Sequence, residues 1–562
     1  MPATLTYPGV YVEEIPSGVR TIVGVPTSVA AFVGRALRGP VDNAFVVNNF
    51  GDFTRTFGGL GTDYPMSYAV NDFFLNGGGQ AVIVRLWAAP PPPPAPPPGP
   101  PPPAPGPPGP PPGPPPPPAP AGANGAATLG VGGLNLVAAN QGSWGNKLKA
   151  TVSSFAQLVA IDPVAVQLDA LAKQIDPTWT YADLFNLRIE DTATGQPETF
   201  RNLWIRLKDG PGRVDRALAG SMLVRLGKNA AGGPDLPGAV PVNGSTANGA
   251  GWVDSAAPTD KAIEGDPDLK TGMNALQNAD IFNLLCIPPD TRSGDVTPGM
   301  YSTAMAFCVK HRAMLIVDPR AGWSSDKSAP GKGVAELGTL SLSGPGARNA
   351  ALYFPRVIES DPLRQGQLDT FVPCGIVAGI IARTDNDRGV WKAPAGLDAA
   401  LVGVQGLEAN LTDEENGQLN PLGINCLRNF PITGRVVWGA RTLRGADQQA
   451  DEYKYVPVRR IALYIEESLY RGTKWVVFEP NDEPLWAQIR LNVGVFMHNL
   501  FRKGAFEGAS PSEAYFVRCD KFTTTQADID LGIVNIIVGF APLKPAEFVV
   551  IQIQQIAGQL AV

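Results

Sequence analysis

Few residues of this sequence are of types that could carry out chemistry. The chain has 562 residues but only two histidines, His311 in FCVKHRAML and His498 in VFMHNLF. A serine hydrolase needs a histidine beside a serine and an acid, and the G-x-S-x-G turn that presents such a serine is missing from the sequence. We therefore expect no catalytic residue. A hydrolase is the disfavoured alternative, and it would require an activity that disappears when His311 is replaced by alanine.

Binding loops for phosphates and metals are also incomplete in the sequence. The segment SGPGARNAA comes nearest to a dinucleotide-binding loop, but Asn349 stands at the third glycine position and a strand pattern follows where the motif needs a helix. The segment APGKGVAE lacks the spacing of a phosphate-binding loop. The five cysteines are far apart and, with two histidines, cannot form a structural zinc site. We expect no cofactor and no metal.

The composition indicates a globular protein of several domains. Hydrophobic residues make up 44% of the chain and charged residues 17%, less than the roughly 25% that is usual, which suits a protein that buries surface against partners. The net charge of −6 gives no basic field for nucleic acid. No secretion signal and no apolar run of membrane-spanning length is visible, so we expect no membrane insertion. The isolated cysteines are typical of buried thiols in a protein made in a reducing cytoplasm.

A proline-rich tract from Pro90 to Pro120 follows a first section with a buried strand, a helix and a second strand in QAVIVRLW. Proline supplies no backbone N–H, so the tract is a polyproline II rod or a flexible spacer that reaches at most roughly 90 Å. The alternative is a docking ligand for proline-binding domains, although the tract lacks flanking arginine or lysine to set its orientation. We expect an insertion between two domains that do not need it.

After the tract, the sequence pattern changes twice. Residues 124–259 alternate polar and apolar side chains, as in FNLRIED and FRNLWIRL, and predict a β-rich domain with a long loop at 229–250. Residues 260–435 alternate buried strands with helices, which predicts a parallel sheet with crossover helices. In the last section, RRIALYIEESLYRG and EPLWAQIRLNVGVFMHNLFRKGAF predict helices, and KWVVFEP predicts a buried strand between them. The apolar side chains at helical spacing on the second helix are Trp486, Ile489, Val493, Phe496, Met497 and Leu500.

Both ends of the chain carry a strand pattern. Near the N-terminus, TYPGVYVEEIPSG has β-forming residues between turn residues, and no hairpin turn follows it. Near the C-terminus, the strand pattern AEFVVIQIQQI comes after a break at Pro542 and Pro545. A lone strand presents unpaired N–H and C=O groups, so the N-terminal segment is either an edge of the protein's own sheet or a strand that pairs with another chain.

Taken in order, these segments resemble contractile tail sheath proteins over nearly the full chain. The resemblance runs through YPGVYVEEIPSG, TSVAAFVGRALRGP, the FGG at 57–59, YAVNDFFLNGG and AVIVRLW. It continues at GSWGNKLKATV and FNLRIEDTATGQPETFRNLWI, and it covers most of the section from RRIALYIEESLYRG to PLKPAEFVVIQIQQIAGQ. It leaves out the proline-rich tract and the loop near 229–250. The first and last segments look most like sheaths of phage-tail-like extracellular contractile injection systems.

The resemblance implies a multidomain fold of α+β and α/β type. Its middle α/β domain is expected to be subtilisin-like in fold without proteolytic activity. A β-rich domain is inserted, and the α+β C-terminal domain is completed by exchanged N- and C-terminal strands. The implied parts are an N-terminal exchange arm (1–21), a first part of the sheath core (22–87), the proline-rich insertion (88–123), the β-rich inserted domain (124–259), the non-catalytic α/β domain (260–435), the inner C-terminal domain (436–545) and a C-terminal exchange arm (546–562).

The resemblance also implies contact residues. In such sheaths the terminal arms leave their own subunit and add strands to the C-terminal domains of neighbours. The residues that this implies for the exchanged strands are Tyr7, Val10, Tyr11, Val12, Ile15, Phe548, Val549, Val550, Ile551 and Ile553. Arg490, Arg502 and Lys503 on the second helix are expected to contact acidic groups of an inner tube, and a solvated helix edge is the alternative.

The implied function is that of a structural sheath subunit. Many copies would polymerise around an inner tube in an extended, metastable helical lattice and contract to drive the tube through a target envelope. The implied partners are further copies of the chain, the tube protein, and baseplate and terminal cap proteins. The phage tail or injection particle would assemble in the bacterial cytoplasm and then be released or stay bound to the cell. A non-enzymatic proline-rich adaptor is the alternative, which monomeric behaviour in solution would favour.

Overall fold

The computed structural model describes residues 20–90, 128–324, 340 and 342–552 of the chain. Residues 91–120 of the proline-rich tract lie outside the described residues. So do several residues implied for the exchanged strands, namely Tyr7, Val10, Tyr11, Val12, Ile15 and Ile553.

The secondary structure of the described residues alternates strands and helices along the chain. The strands are β1 Ala30–Gly34, β2 Phe45–Val47, β3 Ala81–Arg85, β4 Thr128–Val131, β5 Leu134–Ala138, β6 Leu148–Ser154, β7 Phe185–Asp191, β8 Gln196–Leu203, β9 Val224–Leu226, β10 Thr246–Asn248, β11 Leu284–Cys286, β12 Met314–Val317, β13 Ala350–Phe354, β14 Val357–Asp361, β15 Gln367–Phe371, β16 Val404–Leu407, β17 Ile424–Phe430, β18 Gly434–Val437, β19 Tyr515–Arg518 and β20 Ile537–Phe540. The α-helices are α1 Phe50–Phe57, α2 Pro65–Leu75, α3 Pro163–Ile175, α4 Val214–Ala219, α5 Asp260–Glu264, α6 Pro298–Lys310, α7 Cys374–Arg388, α8 Asp413–Leu419, α9 Val456–Gly472, α10 Glu483–Arg502, α11 Pro511–Ala514 and α12 Gln526–Asp530.

An 8-stranded sheet lies at the centre, in the order β18-β17-β13-β12-β11-β1-β3-β2. The strands from β17 to β3 run parallel, and the edge strands β2 and β18 are antiparallel to their neighbours. Helices α2 and α7 cover one face and α6 covers the other, so β1, β3, β12 and β13 are buried along their whole length. The parallel sheet predicted for 260–435 is confirmed, and the first section adds β1, β2 and β3 to it.

The contact between α2 and α7 depends on two glycines of α7. A Cβ atom at Gly375 would lie 2.0 Å from the carbonyl oxygen of Ala69, and one at Gly379 would lie 2.5 Å from that of Phe73. Glycine alone leaves room for the two helix backbones to approach this closely. The contact joins the first section of the chain to the α/β section.

The β-rich domain predicted after the proline-rich tract is present. It contains a 4-stranded sheet, β10-β6-β7-β8, and a 3-stranded sheet, β4-β5-β9, around one apolar core. Burial alternates along β6 and β7, as expected for strands with one face on a core. The buried ion pair between Arg38 and Asp191, 3.0 Å long, and the hydrogen bond from Arg85 to the Gln141 carbonyl attach this domain to the central sheet.

Two helices form the core of the C-terminal section, as the sequence predicts. The buried residues of α10 include those expected at helical spacing: Trp486, Ile489, Val493, Phe496, Met497 and Leu500. On α9, Glu467 and Arg471 form an ion pair of 2.7 Å, one turn apart. None of the described helices combines the length and apolarity that crossing a membrane requires.

The buried strand predicted for KWVVFEP is wrong. Residues Lys474–Val476 form a 3₁₀ turn, and Val477 and Phe478 are exposed. The segment connects α9 to α10, and no described strand pairs with it. Four apolar residues in a row fit a short buried strand as well as a surface connection, so the pattern alone does not separate the two.

Candidate assembly surface

Within the described residues, the C-terminal section carries a sheet of two strands, β19 and β20. Its inner face, formed by Tyr515, Val517, Val538 and Phe540, packs on the α10 core. A single bridge between Phe506 and Pro542 extends one end, and within the described residues neither strand has a further strand beside it. A sheet of two strands is marginal in water, and its free edges present N–H and C=O groups ready to pair.

The C-terminal segment has the composition of a strand but is not paired in the described part of the chain. Phe548, Val549, Val550 and Ile551 are between 73% and 82% exposed, and residues 541–552 form no strand. Consecutive exposed apolar residues of this size indicate a surface that another element covers. Of the residues implied for the C-terminal exchanged strand, the four from Phe548 to Ile551 are therefore available for contact.

One residue of this segment is firmly held by the body of the subunit. Both oxygens of the Glu547 carboxylate accept hydrogen bonds of 2.6 Å from Arg441, one from Nε and one from Nη2. The Tyr455 hydroxyl and the Asn420 amide each donate at 3.1 Å, and Lys454 Nζ lies 4.0 Å away. We call these five residues the Glu547 clamp.

The electrostatics of the clamp favour the charged form of both partners. Burial by itself would raise the pKa of Glu547, but the hydrogen bonds and the charge of Arg441 outweigh it and lower that pKa. For Arg441 the signs are reversed. Burial by itself would lower the pKa of Arg441, but the Glu547 carboxylate outweighs it, and the pKa is raised. The clamp is therefore a charge-assisted, bidentate pair.

A groove of about 720 Å³ runs between the C-terminal segment and the body, next to the clamp. Its walls include two tryptophans and three basic side chains: Trp391, Trp438, Arg388, Lys392 and Lys544. The groove shows that residues 543–548 lie alongside the body with open space beneath them, and that Glu547 is the point where the segment makes a specific contact.

The cations expected to face a tube are not gathered into one cluster. Arg490 is 2.6 Å from the Glu483 carboxylate and also donates to the Cys519 carbonyl. Arg502 and Lys503 are exposed at the end of α10. Arg490 and Arg502 are about 120° apart around the helix and about 18 Å apart along its axis. Only the adjacent pair Arg502 and Lys503 presents charge together.

The two histidines lie apart and have structural surroundings. His311 ends α6, with its ring 4.2 Å from that of Phe307, and burial lowers its pKa. His498 lies on α10 with its Nδ1 3.3 Å from the Tyr515 hydroxyl. All five cysteines are buried and free, and within the described residues no three metal-ligating side chains are grouped to hold an ion.

Sequence reasoning missed the Glu547 clamp and the exposed aromatic side chains of the C-terminal section. Arg441 and Glu547 are separated by 106 positions, and no spacing rule connects them. Phe478 and Phe522 are 103% and 83% exposed, and Phe478 belongs to an apolar stretch that suggests burial. The one available signal for Glu547 is its position directly before an apolar strand pattern.

Family models match most of the second half of the chain. The model of the phage tail sheath protein central domain matches residues 265–443, and that of the phage tail sheath C-terminal domain matches residues 448–556. The tail sheath protein of Vibrio phage KVP40 is 28% identical over 174 residues, which are 31% of this chain and 24% of the relative. That of Enterobacteria phage T4 is 26% identical over 156 residues, which are 27% of this chain and 22% of the relative. The chain thus matches less than a quarter of the length of these curated relatives.

Solved structures match nearly the whole chain. The sheath complex of PVC, an extracellular contractile injection system, in its contracted state has a TM-score of 0.54 and 21% identity, covering 98% of each chain. The contracted helical sheath of the anti-feeding prophage has a TM-score of 0.51 and 22% identity, covering 98% of this chain and 100% of that one. The sheath tail protein of Listeria innocua has a TM-score of 0.55 and 12% identity, covering 93% and 96%. The fold is that of contractile tail sheaths.

The central sheet, the two-helix C-terminal section and these matches define the class of protein. The chain belongs to the phage tail sheath family.

Proposed function

We propose that this chain is a structural subunit of a contractile sheath and that its copies are linked by exchanged strands. One observation carries the proposal: the same chain holds a two-stranded sheet with unpaired edges in its described part and an exposed apolar segment, Phe548–Ile551. In strand addition, main-chain hydrogen bonds supply affinity and alternate side chains supply specificity. Val549 and Ile551 fall on one side of such a strand, Phe548 and Val550 on the other.

The same surfaces explain how many copies can join. A segment of one copy that pairs with an edge of the next makes a head-to-tail contact, and repeated head-to-tail contacts that do not close into a ring build a helix. Such a helix suits a sheath that surrounds an inner tube, and it ends at a baseplate and at a terminal cap. Strand links keep neighbours joined while the subunit bodies rotate during contraction, and lateral contacts summed over many copies supply the work. The subunit itself acts without catalysis.

We place the inner tube against the end of α10. Arg502 and Lys503 are adjacent and exposed there, which supports them as contacts for acidic tube groups. Arg490 is engaged by Glu483 and would have to exchange partners to join them. The particle is assembled in the bacterial cytoplasm in this proposal, and it is a phage-tail-like particle that is released or stays cell-bound.

The test is electron microscopy of the chain expressed with the tube protein. Three versions are compared: the full chain, a version without residues 1–15 and a version without residues 548–562. Striated tubes from the full chain and none from either truncation are the expected result. Tubes from both truncations would contradict the proposed strand exchange but would still support a sheath subunit. If all three versions remain dispersed monomers while the tube itself forms, the sheath function is contradicted and the alternative of a proline-rich adaptor is favoured.

A further inference from the structure

We infer that the Glu547 clamp fixes the point at which the C-terminal arm leaves its subunit, so that Glu547 sets the length of the link between neighbouring copies. The inference rests on the proposed function, because it gives the exchanged arm a defined starting point. Glu547 is a positioning residue in this role: it does not join the exchanged strand but determines where that strand begins.

The clamp is a single attachment in an otherwise exposed stretch. Among residues 546–552, Glu547 alone is partly buried, and the others are exposed. The described residues 544–552 make no backbone hydrogen bond to the body, and the last backbone pairing along the chain is the bridge at Pro542. Glu547 is therefore the last place where the described chain is held before the apolar run begins.

The receptor for Glu547 is built in advance. The Arg441 side chain is fully buried and also donates to the carbonyl oxygens of Asn420 and Gly445, at 2.9 and 3.2 Å. These contacts engage Nη1 and do not involve Glu547, which accepts from Nε and Nη2. A positioned guanidinium binds a carboxylate in one orientation, because its two donors match the two oxygens.

The clamp is connected to the central sheet and not to the C-terminal two-stranded sheet. The backbone N–H of Arg441 donates to Asn425 Oδ1 at 2.6 Å, and Asn425 Nδ2 donates to the Leu352 carbonyl at 3.1 Å. Asn425 lies on β17 and Leu352 on β13. A pull on the arm therefore acts on the α/β body, whereas the arm itself pairs with the C-terminal section of a neighbour.

Releasing the clamp would lengthen the link between copies. Without Glu547 held, the free chain would start near residue 543 instead of 548, which adds about 17 Å of extended chain. A lattice whose links vary by this length has no single subunit spacing. The clamp thus keeps the helical rise uniform, and strand addition alone does not.

The test compares Glu547→Gln with Glu479→Gln, the same chemical change at an exposed carboxylate of the α9–α10 connection. The first readout uses monomers with a spin label on Ala546→Cys, which is selective because all five native cysteines are buried. Loss of the charged hydrogen bonds should raise the released fraction of the arm by roughly tenfold or more. Glu479→Gln should leave the label as immobile as in the parent protein.

The second readout is the helical rise of sheaths by electron cryomicroscopy. We expect Glu547→Gln sheaths with a variable rise, beside uniform sheaths from the parent and from Glu479→Gln. A uniform rise and an immobile label in Glu547→Gln would overturn the inference. So would complete loss of sheaths, as in the version without residues 548–562, because Glu547 would then belong to the exchanged strand itself. If that truncation still forms normal sheaths, the proposed strand exchange fails, and label mobility in the monomer decides the clamp separately.

Discussion

Asp72 on α2 and Glu359 on β14 place two carboxyl groups together in the interior. Asp72 is 4% exposed and Glu359 is 7% exposed, and each carboxyl group lies close enough to influence the pKa of the other. Burial raises both pKa values, that of Glu359 to about 7, and the neighbouring carboxylate raises that of Asp72 further. The pair shares a proton in the folded state, because two charged carboxylates held together in the interior are strongly unfavourable.

The carboxyl pair makes stability depend on pH. The folded state keeps protons that the unfolded chain releases near pH 4, so the free energy of unfolding falls as the pH rises from about 4 through 7. We expect Glu359→Gln, which cannot ionise, to be more stable than the parent at pH 8 by on the order of 1–3 kcal/mol, with the difference shrinking towards pH 4.

Urea unfolding at pH 4.5, 6 and 8 measures this difference, with Glu479→Gln as the exposed control. A stability gain that is the same at all three pH values would contradict the shared-proton explanation, since a simple packing change does not titrate.

At the scale of the element, the connection between α9 and α10 shows how an apolar pattern can belong to a strained surface turn. Phe478 has φ +71° and is fully exposed, so it has a left-handed backbone and buries nothing in the described subunit. A left-handed backbone costs a residue with a Cβ atom roughly 1–2 kcal/mol, and asparagine tolerates it best after glycine. This unfavourable backbone conformation occurs at a position whose side chain points away from the body, so no buried contact of Phe478 offsets it.

We predict that Phe478→Asn raises the free energy of unfolding of the monomer by about 1 kcal/mol, because asparagine relieves the backbone strain and no buried contact is lost. Thermal or urea unfolding measures it. The matched control is Phe522→Asn, an exposed phenylalanine without a positive φ, which should change stability by less than about 0.5 kcal/mol. An equal gain in both variants would attribute the effect to lost surface apolarity and not to the turn.

At the scale of the whole molecule, buried ion pairs join sections that are far apart in the chain. Arg460 on α9 binds Asp385 on α7 through both its Nη atoms, at 2.7 and 2.6 Å, and also donates to the Thr27 carbonyl. Arg38 and Asp191 join the central sheet to the β-rich domain. The proline-rich tract lies between β3 and β4, and these contacts connect the two sides without it.

We therefore predict that deletion of residues 91–120 leaves both the melting temperature and sheath assembly unchanged. Scanning calorimetry of the monomer and electron microscopy of the sheath measure the two. A version with a Gly/Ser linker of the same length controls for reach. Loss of sheaths with the deletion but not with the linker would show that the tract acts as a spacer. Loss of sheaths with both would show that the prolines themselves are required.

The sequence by itself determined what depends on near neighbours along the chain. The helical spacing of α10, the alternation along β6 and β7, and the change to strands alternating with helices after residue 260 all follow from side-chain periods. These periods record which face of an element is buried, so the element types and most of the core could be predicted. The order of the segments was enough to predict the family as well.

Tertiary structure decided what depends on residues distant in the chain. It placed β1 between β11 and β3, brought Glu359 to Asp72, and seated Glu547 on Arg441. It also made KWVVFEP a surface connection that pairs with no strand in the described fold. The period of the side chains determines which face of a strand is buried, but it does not determine which strands are adjacent. The partner of a buried charge depends on the order of the strands, which is a property of the tertiary structure.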